Sequence, residues 1–69
     1  MAWIARNAGV NQLLHVFDDI PHREINSWCY DDSIEGESFT FFGVELPSDA
    51  DEKLIGRHIT WEDEPIELK

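Results

Sequence analysis

The segment SFTFFGVELP, Ser38 to Pro47, carries the strongest local pattern in the 69-residue chain. In an extended backbone Thr40, Phe42, Val44 and Leu46 share one side, while Phe39, Phe41 and Glu45 share the other. β-branched and aromatic residues at this spacing predict a strand. Gly43 interrupts the run and marks a bulge or a close approach of another backbone.

Strands are expected on the N-terminal side as well. AWIARN and QLLHVF are short apolar runs separated by the turn formers NAGVN, and together they predict a β-hairpin. Asp18, Asp19 and Pro21 end the second run. INSWCYDD predicts a third strand, with Ile25, Ser27 and Cys29 on one face, and DDSIEGE is expected to form a solvated turn at Gly36. This acidic turn lacks the ligand spacing of a calcium loop.

On the C-terminal side, PSDADEKLIG is a helix signature. Ser48 with Asp51, or Asp49 with Glu52, forms a capping box, Gly56 sits where a helix stops, and Leu54 and Ile55 supply the packing face. HIT and PIELK are extended candidates, the latter an edge strand with charge outward. The predicted architecture is therefore a single small α+β domain over residues 1–69, β-rich, with four to five mostly antiparallel strands and one short helix near residues 50–55.

Composition limits the function classes. A domain this small buries about 60% of its unfolded surface, which leaves little room for a catalytic cleft. Fifteen acids against five bases give a formal net charge of −10, disfavouring direct binding to nucleic acid or an anionic membrane and favouring a basic protein partner. One cysteine excludes an internal disulfide, and neither a signal-peptide pattern at Met1 nor a membrane-length apolar run is present. A cytoplasmic protein is expected.

No residue set reads as catalytic. His15, His22 and His58 fall in separate predicted elements without a metal-binding spacing, so neither a metal nor another cofactor is expected. Cys29 and His22 lack an orienting third group and an oxyanion hole, so no enzyme activity is expected. Trp3 and Trp28 are assigned to the core. Trp61, beside Glu62, Asp63 and Glu64, reads as an aromatic anchor among acids, suited to an arginine- or lysine-rich partner. Asp31, Asp32, Glu35 and Glu37 are candidates for the same acidic face. A domain of this length has a diameter of about 28 Å, and duplex DNA that long carries roughly 16 phosphates, so mimicry of a nucleic-acid surface is electrostatically feasible.

WIAR at the start, P-x-R at Pro21 to Arg23, Trp28, ELP at Glu45 to Pro47 and the closing TWEDEPIEL together resemble a group of small phage and prophage proteins. The most specific part is the last ten residues. The resemblance carries no substrate and no catalytic residue. It implies a phage accessory protein that occupies a basic surface of a host protein, as an inhibitor of the DNA-mimic or anti-CRISPR type. The alternative is a structural homo-oligomeric or virion-associated protein.

Overall fold

A computed structural model describes residues 2–9 and 11–68. It contains two antiparallel sheets and one short helix, a β-rich α+β arrangement. Strands β1 (Ala2–Arg6), β2 (Leu14–Phe17), β6 (Val44–Leu46) and β7 (Ile66–Leu68) form a four-stranded sheet in the order β6-β2-β1-β7. Strands β3 (His22–Arg23), β4 (Trp28–Ile34) and β5 (Glu37–Phe41) form the second sheet in that order. Helix α1 spans Ala50–Ile55. Among the described residues seven strands stand where four to five are expected, because short edge strands such as His22–Arg23 carry too little pattern to be read.

The four-stranded sheet is covered on both faces, which explains why AWIAR does not alternate apolar with polar residues. Ile4 pairs with Val16 and Ile66, and Leu14 pairs with Leu46, placing these side chains on one face. There they form a core with Ile59, closed by Ala50 and Ile55 of the helix. Trp3 pairs with Phe17 on the other face, where Ala5, Phe17 and Trp28 form a second core flanked by Tyr30 and Trp61. The layers are helix, four-stranded sheet and three-stranded sheet.

SFTFFGVELP is two strands. β5 pairs with β4, β6 pairs with β2, and the chain changes sheets at Phe42 and Gly43. Gly43 is a close approach: at φ 78°, a Cβ there would lie 2.7 Å from Phe17 Cε2 and 2.8 Å from the Val16 carbonyl oxygen. The period-two pattern persists through the crossover, so the break is visible only as the glycine.

DDSIEGE is corrected from a turn to a hairpin. Asp31 and Asp32 lie inside β4, and only Glu35 and Gly36 turn, both at positive φ (53° and 83°). That is the geometry of a two-residue hairpin turn whose twist matches its strands. Likewise Ile25, expected in a strand, is 98% exposed in the Glu24–Ser27 turn, where the Glu24 amide donates to the Ser27 carbonyl.

The predicted helix is present with different end chemistry. Asp49 occupies the N-cap without a capping side-chain bond, and its carboxylate lies 3.4 Å from Lys53 Nζ. Asp51 faces inward with Ile55, which turns Leu54 out to solvent. Gly56 stops the helix at φ 77°, its amide donating to the Glu52 carbonyl. HIT is not a strand, whereas Ile66–Leu68 is the expected edge strand, paired with β1. No helix among the described residues is long and apolar enough to cross a membrane.

A buried ion pair ties these layers together. Arg6 is 3% exposed and Asp51 fully buried. The Arg6 guanidinium donates to the carbonyls of Ile59 (2.7 Å), Gln12 (2.7 Å) and Ser48 (2.8 Å), and to Asp51 Oδ2 (3.0 Å). Asp51 also accepts from the amides of Ile59 (2.9 Å) and Glu52 (2.8 Å). Burial alone pushes the Asp51 carboxyl up. The Ile59 amide, the Arg6 side chain and the Glu52 amide outweigh it, and the net shift is downward. No buried side-chain polar atom among the described residues lacks a partner.

Candidate functional site

The acidic residues singled out in the sequence separate into two groups with different surroundings. Trp61 packs on Trp28 edge to face, with ring centroids 5.6 Å apart, so the two groups are fixed relative to β4. Trp61 stands beside the root of β4 and Glu35 beyond its tip. Six residue steps from Trp28 to Ile34 span about 20 Å.

At the root, the chain supplies its own cations. The Arg23 guanidinium lies 4.7 Å from the Trp28 ring centroid and 4.8 Å from that of Trp61, and it donates to the Trp61 carbonyl at 2.8 Å. Asp63 accepts from the Thr60 amide at 2.8 Å and lies 3.8 Å from the Arg57 guanidinium. Trp61 is half-buried, while Glu62 and Glu64 are exposed. The arginine stacking expected from a partner is thus made internally by Arg23.

The tip is different. Asp31, Asp32, Glu35 and Glu37 are all exposed, and none has a cationic partner among the described residues. Arg6, Arg23, Lys53 and Arg57, the described lysines and arginines, are all engaged at the root, at the helix or in the core. Register divides the acids by face. Asp31 pairs with Thr40, whose hydroxyl donates to its carboxylate at 2.7 Å. Asp32 lies opposite Phe39 on the other face, with Tyr30, Ile34, Phe41 and Glu37.

This second face begins in the core and ends in solvent. Tyr30 packs edge-on against Phe17 with centroids 6.4 Å apart, and it stacks on Phe41 at 5.2 Å. Farther out, Phe39 is 42% and Ile34 49% exposed. The hairpin therefore overhangs the four-stranded sheet as an aromatic ledge. At its foot lies a groove of about 280 Å³, lined by Phe17, Tyr30, Phe41, Phe42 and Val44, with Asp18 at its rim.

Negative charge converges on this groove. Burial pushes the Tyr30 phenol up, and the carboxylates of Asp18, Asp32 and Asp19 push it further. Asp18 and Asp19, read in the sequence only as strand breakers, are thus brought toward Tyr30, whose phenol also feels Asp32. Their adjacency depends on the β2–β4 packing, which local spacing does not reveal. Phe42 and Val44, assigned to a strand face, are exposed at the crossover and extend the apolar surface.

The histidines remain in separate elements, but one meets the cysteine. His22 pairs with Cys29 across β3 and β4, with Nε2 3.5 Å from Sγ, and Glu24 lies nearby. The cross-strand register closes a spacing of seven residues that matches no metal-binding motif in the sequence. Comparison with protein families, curated proteins and solved structures finds no match to this chain.

Proposed function

We propose that this protein is a non-enzymatic binding module whose hairpin ledge takes a cationic, partly apolar segment of a partner protein. The carrying observation is charge segregation. Asp18, Asp19, Asp32, Glu35 and Glu37 lie on the ledge side or at the hairpin tip and Asp31 on the opposite face of the same hairpin, while the described arginines and lysines are held elsewhere. An apolar surface rimmed by one sign of charge attracts an opposite charge and gives an adjacent aliphatic or aromatic side chain somewhere to bury. Arginine suits the ledge best, since it stacks on Tyr30 or Phe39 and pairs with Asp32.

The resemblance to small phage and prophage proteins supports placing that partner in a host cell's cytoplasm, with inhibition as the outcome. Trp61, Glu62, Asp63 and Glu64 then act as a secondary rim. Full mimicry of duplex DNA is less well supported than docking on a basic protein surface. The long axis is 38 Å, along which a duplex carries about 22 phosphates, against a net charge of −10.

A specific feature favours a second reading, self-association: β5 and β6 are both sheet edges, leaving an open edge from Glu37 to Leu46. Sedimentation across a concentration series decides it, because a persistent monomer removes this reading. The ledge itself is tested with a nine-residue peptide alternating arginine and leucine, followed by amide chemical shifts. Shifts at Asp18, Tyr30, Asp32 and Phe39 that disappear in Asp32→Asn/Phe39→Ser, together with salt-sensitive affinity, are expected. Shifts confined to Glu62–Glu64, or affinity unchanged by the double substitution, would overturn the assignment.

A further inference from the structure

The outer face of the three-stranded sheet holds a constellation independent of the ledge. His22 Nε2 lies 3.5 Å from Cys29 Sγ and 4.0 Å from Glu24 Oε1, and all three donor atoms lie within 4.8 Å of one another. The fold builds this arrangement from two short elements. Register places His22 directly opposite Cys29, and the bond from the Glu24 amide to the Ser27 carbonyl bends the chain so that Glu24 returns to the same place.

Two uses of such a trio can be separated by which imidazole nitrogen each partner faces. A nucleophile relay requires the thiol on one ring nitrogen and the carboxylate on the other, so that the carboxylate orients the ring. Here thiol and carboxylate both approach Nε2. Burial also pushes the Cys29 thiol up, and the charges of Glu24 and Asp31 push it further, opposite to the activation a nucleophile needs. Three donor atoms within 4.8 Å of one another suit chelation instead.

The separations match a particular ion class. Zinc–sulfur bonds of about 2.3 Å and zinc–nitrogen bonds of about 2.0 Å at a tetrahedral angle put S and N about 3.5 Å apart, and N and O about 3.3 Å apart. The first separation is already present. The second requires Glu24 Oε1 to close on Nε2 by about 0.7 Å from its 4.0 Å start, and on Sγ by at most about 1.3 Å from within 4.8 Å, and its exposed side chain is free to do so. One nitrogen, one sulfur and one oxygen donor favour zinc and its borderline neighbours over calcium or magnesium, which take all-oxygen sites.

We propose that His22, Glu24 and Cys29 bind a divalent transition-metal ion of the zinc class, with a fourth position open to solvent. On binding, the Cys29 thiol releases its proton to the medium and coordinates as the thiolate. Because β3 is two residues long and lies at the edge of its sheet, the ion staples it to β4 and stabilises the fold.

The test uses Co²⁺ as the spectroscopic probe and Zn²⁺ as its competitor on the full chain. Expected are a thiolate-to-cobalt charge-transfer band saturating at one equivalent, its loss on Zn²⁺ addition, and persistence in excess Mg²⁺. His22→Gln, an exposed change that leaves the fold intact by circular dichroism, weakens binding at least about tenfold. Cys29→Ser abolishes the band. Should the band be missing, or binding survive His22→Gln undiminished or yield to Mg²⁺, the ion is held by surface carboxylates and the site is refuted.

Discussion

Replacing Asp51 with asparagine tests how far one buried charge holds this fold together. The carboxylate faces Arg6 at 3.0 Å and receives two backbone amides, and the His58 Nδ1 lies 3.0 Å away. Removing one member of a buried pair costs about 3–5 kcal/mol, because the other charge is left without compensation. Arg6 keeps three carbonyl acceptors here, which argues for the lower end, about 3 kcal/mol. Sixty-nine residues at roughly 0.05–0.15 kcal/mol each give a total stability of about 3.5–10 kcal/mol, so the substitution removes about 30% of it or more. Urea denaturation followed by tryptophan fluorescence and by circular dichroism measures the loss. With a slope near 1 kcal/mol per molar, the midpoint falls by about 3 M. Arg6→Met/Asp51→Leu must not restore stability, since it orphans the carbonyls and amides that the pair serves. A midpoint displaced by less than about 1 M in Asp51→Asn, or a double variant as stable as the parent, would show that the pair is incidental.

Acid provides a second view of the same residue. The folded Asp51 carboxyl lies below its ordinary value, so its contribution is present above the unfolded pKa and is lost as pH falls through the folded one. The stability difference between the parent and Asp51→Asn should therefore shrink on acidification, as read from paired urea melts. Gly43→Ala is expected to cost about 2–5 kcal/mol, combining a left-handed backbone with a clash at Phe17 and Val16. Gly36→Ala, at similar φ but with no atom within 4 Å, should lose only the backbone part, about 1–2 kcal/mol. Equal losses in the same melts would mean that the close approach carries no energy.

The parts legible in the sequence were those set by local periodicity and local stops. The β1–β2 hairpin, the helix over Ala50–Ile55, its stop at Gly56 and the edge strand Ile66–Leu68 all follow from residues within a few positions of one another. What escaped is set by contacts between distant segments. Arg6 and Asp51 are 45 positions apart, and nothing near Asp51 distinguishes an inward carboxylate from a capping one. The sole local hint is that Arg6 shares an alternation with Ile4 and so points to a buried face. The same limitation explains Asp18 and Asp19, which join the ledge only because β2 packs beneath β4. It also explains Trp61, whose arginine comes from β3.

These long-range contacts account for how a chain this acidic acquires a directed surface. Five lysines and arginines cannot neutralise fifteen acids, so their placement determines where the field is strongest. Arg6 is committed to three carbonyls and one carboxylate in the core, and Arg23 to two indoles. Lys53 and Arg57 pair with Asp49 and Asp63 beside the helix and the loop before β7. Each commitment removes positive charge from the hairpin end, about 20 Å along β4 from Trp28, which is beyond the Debye length of about 8 Å at physiological salt. The carboxylates near the tip, Glu35 and Glu37, are consequently screened from these four cations and act together on whatever approaches. The interactions that hold the two cores in place therefore also polarise the molecule.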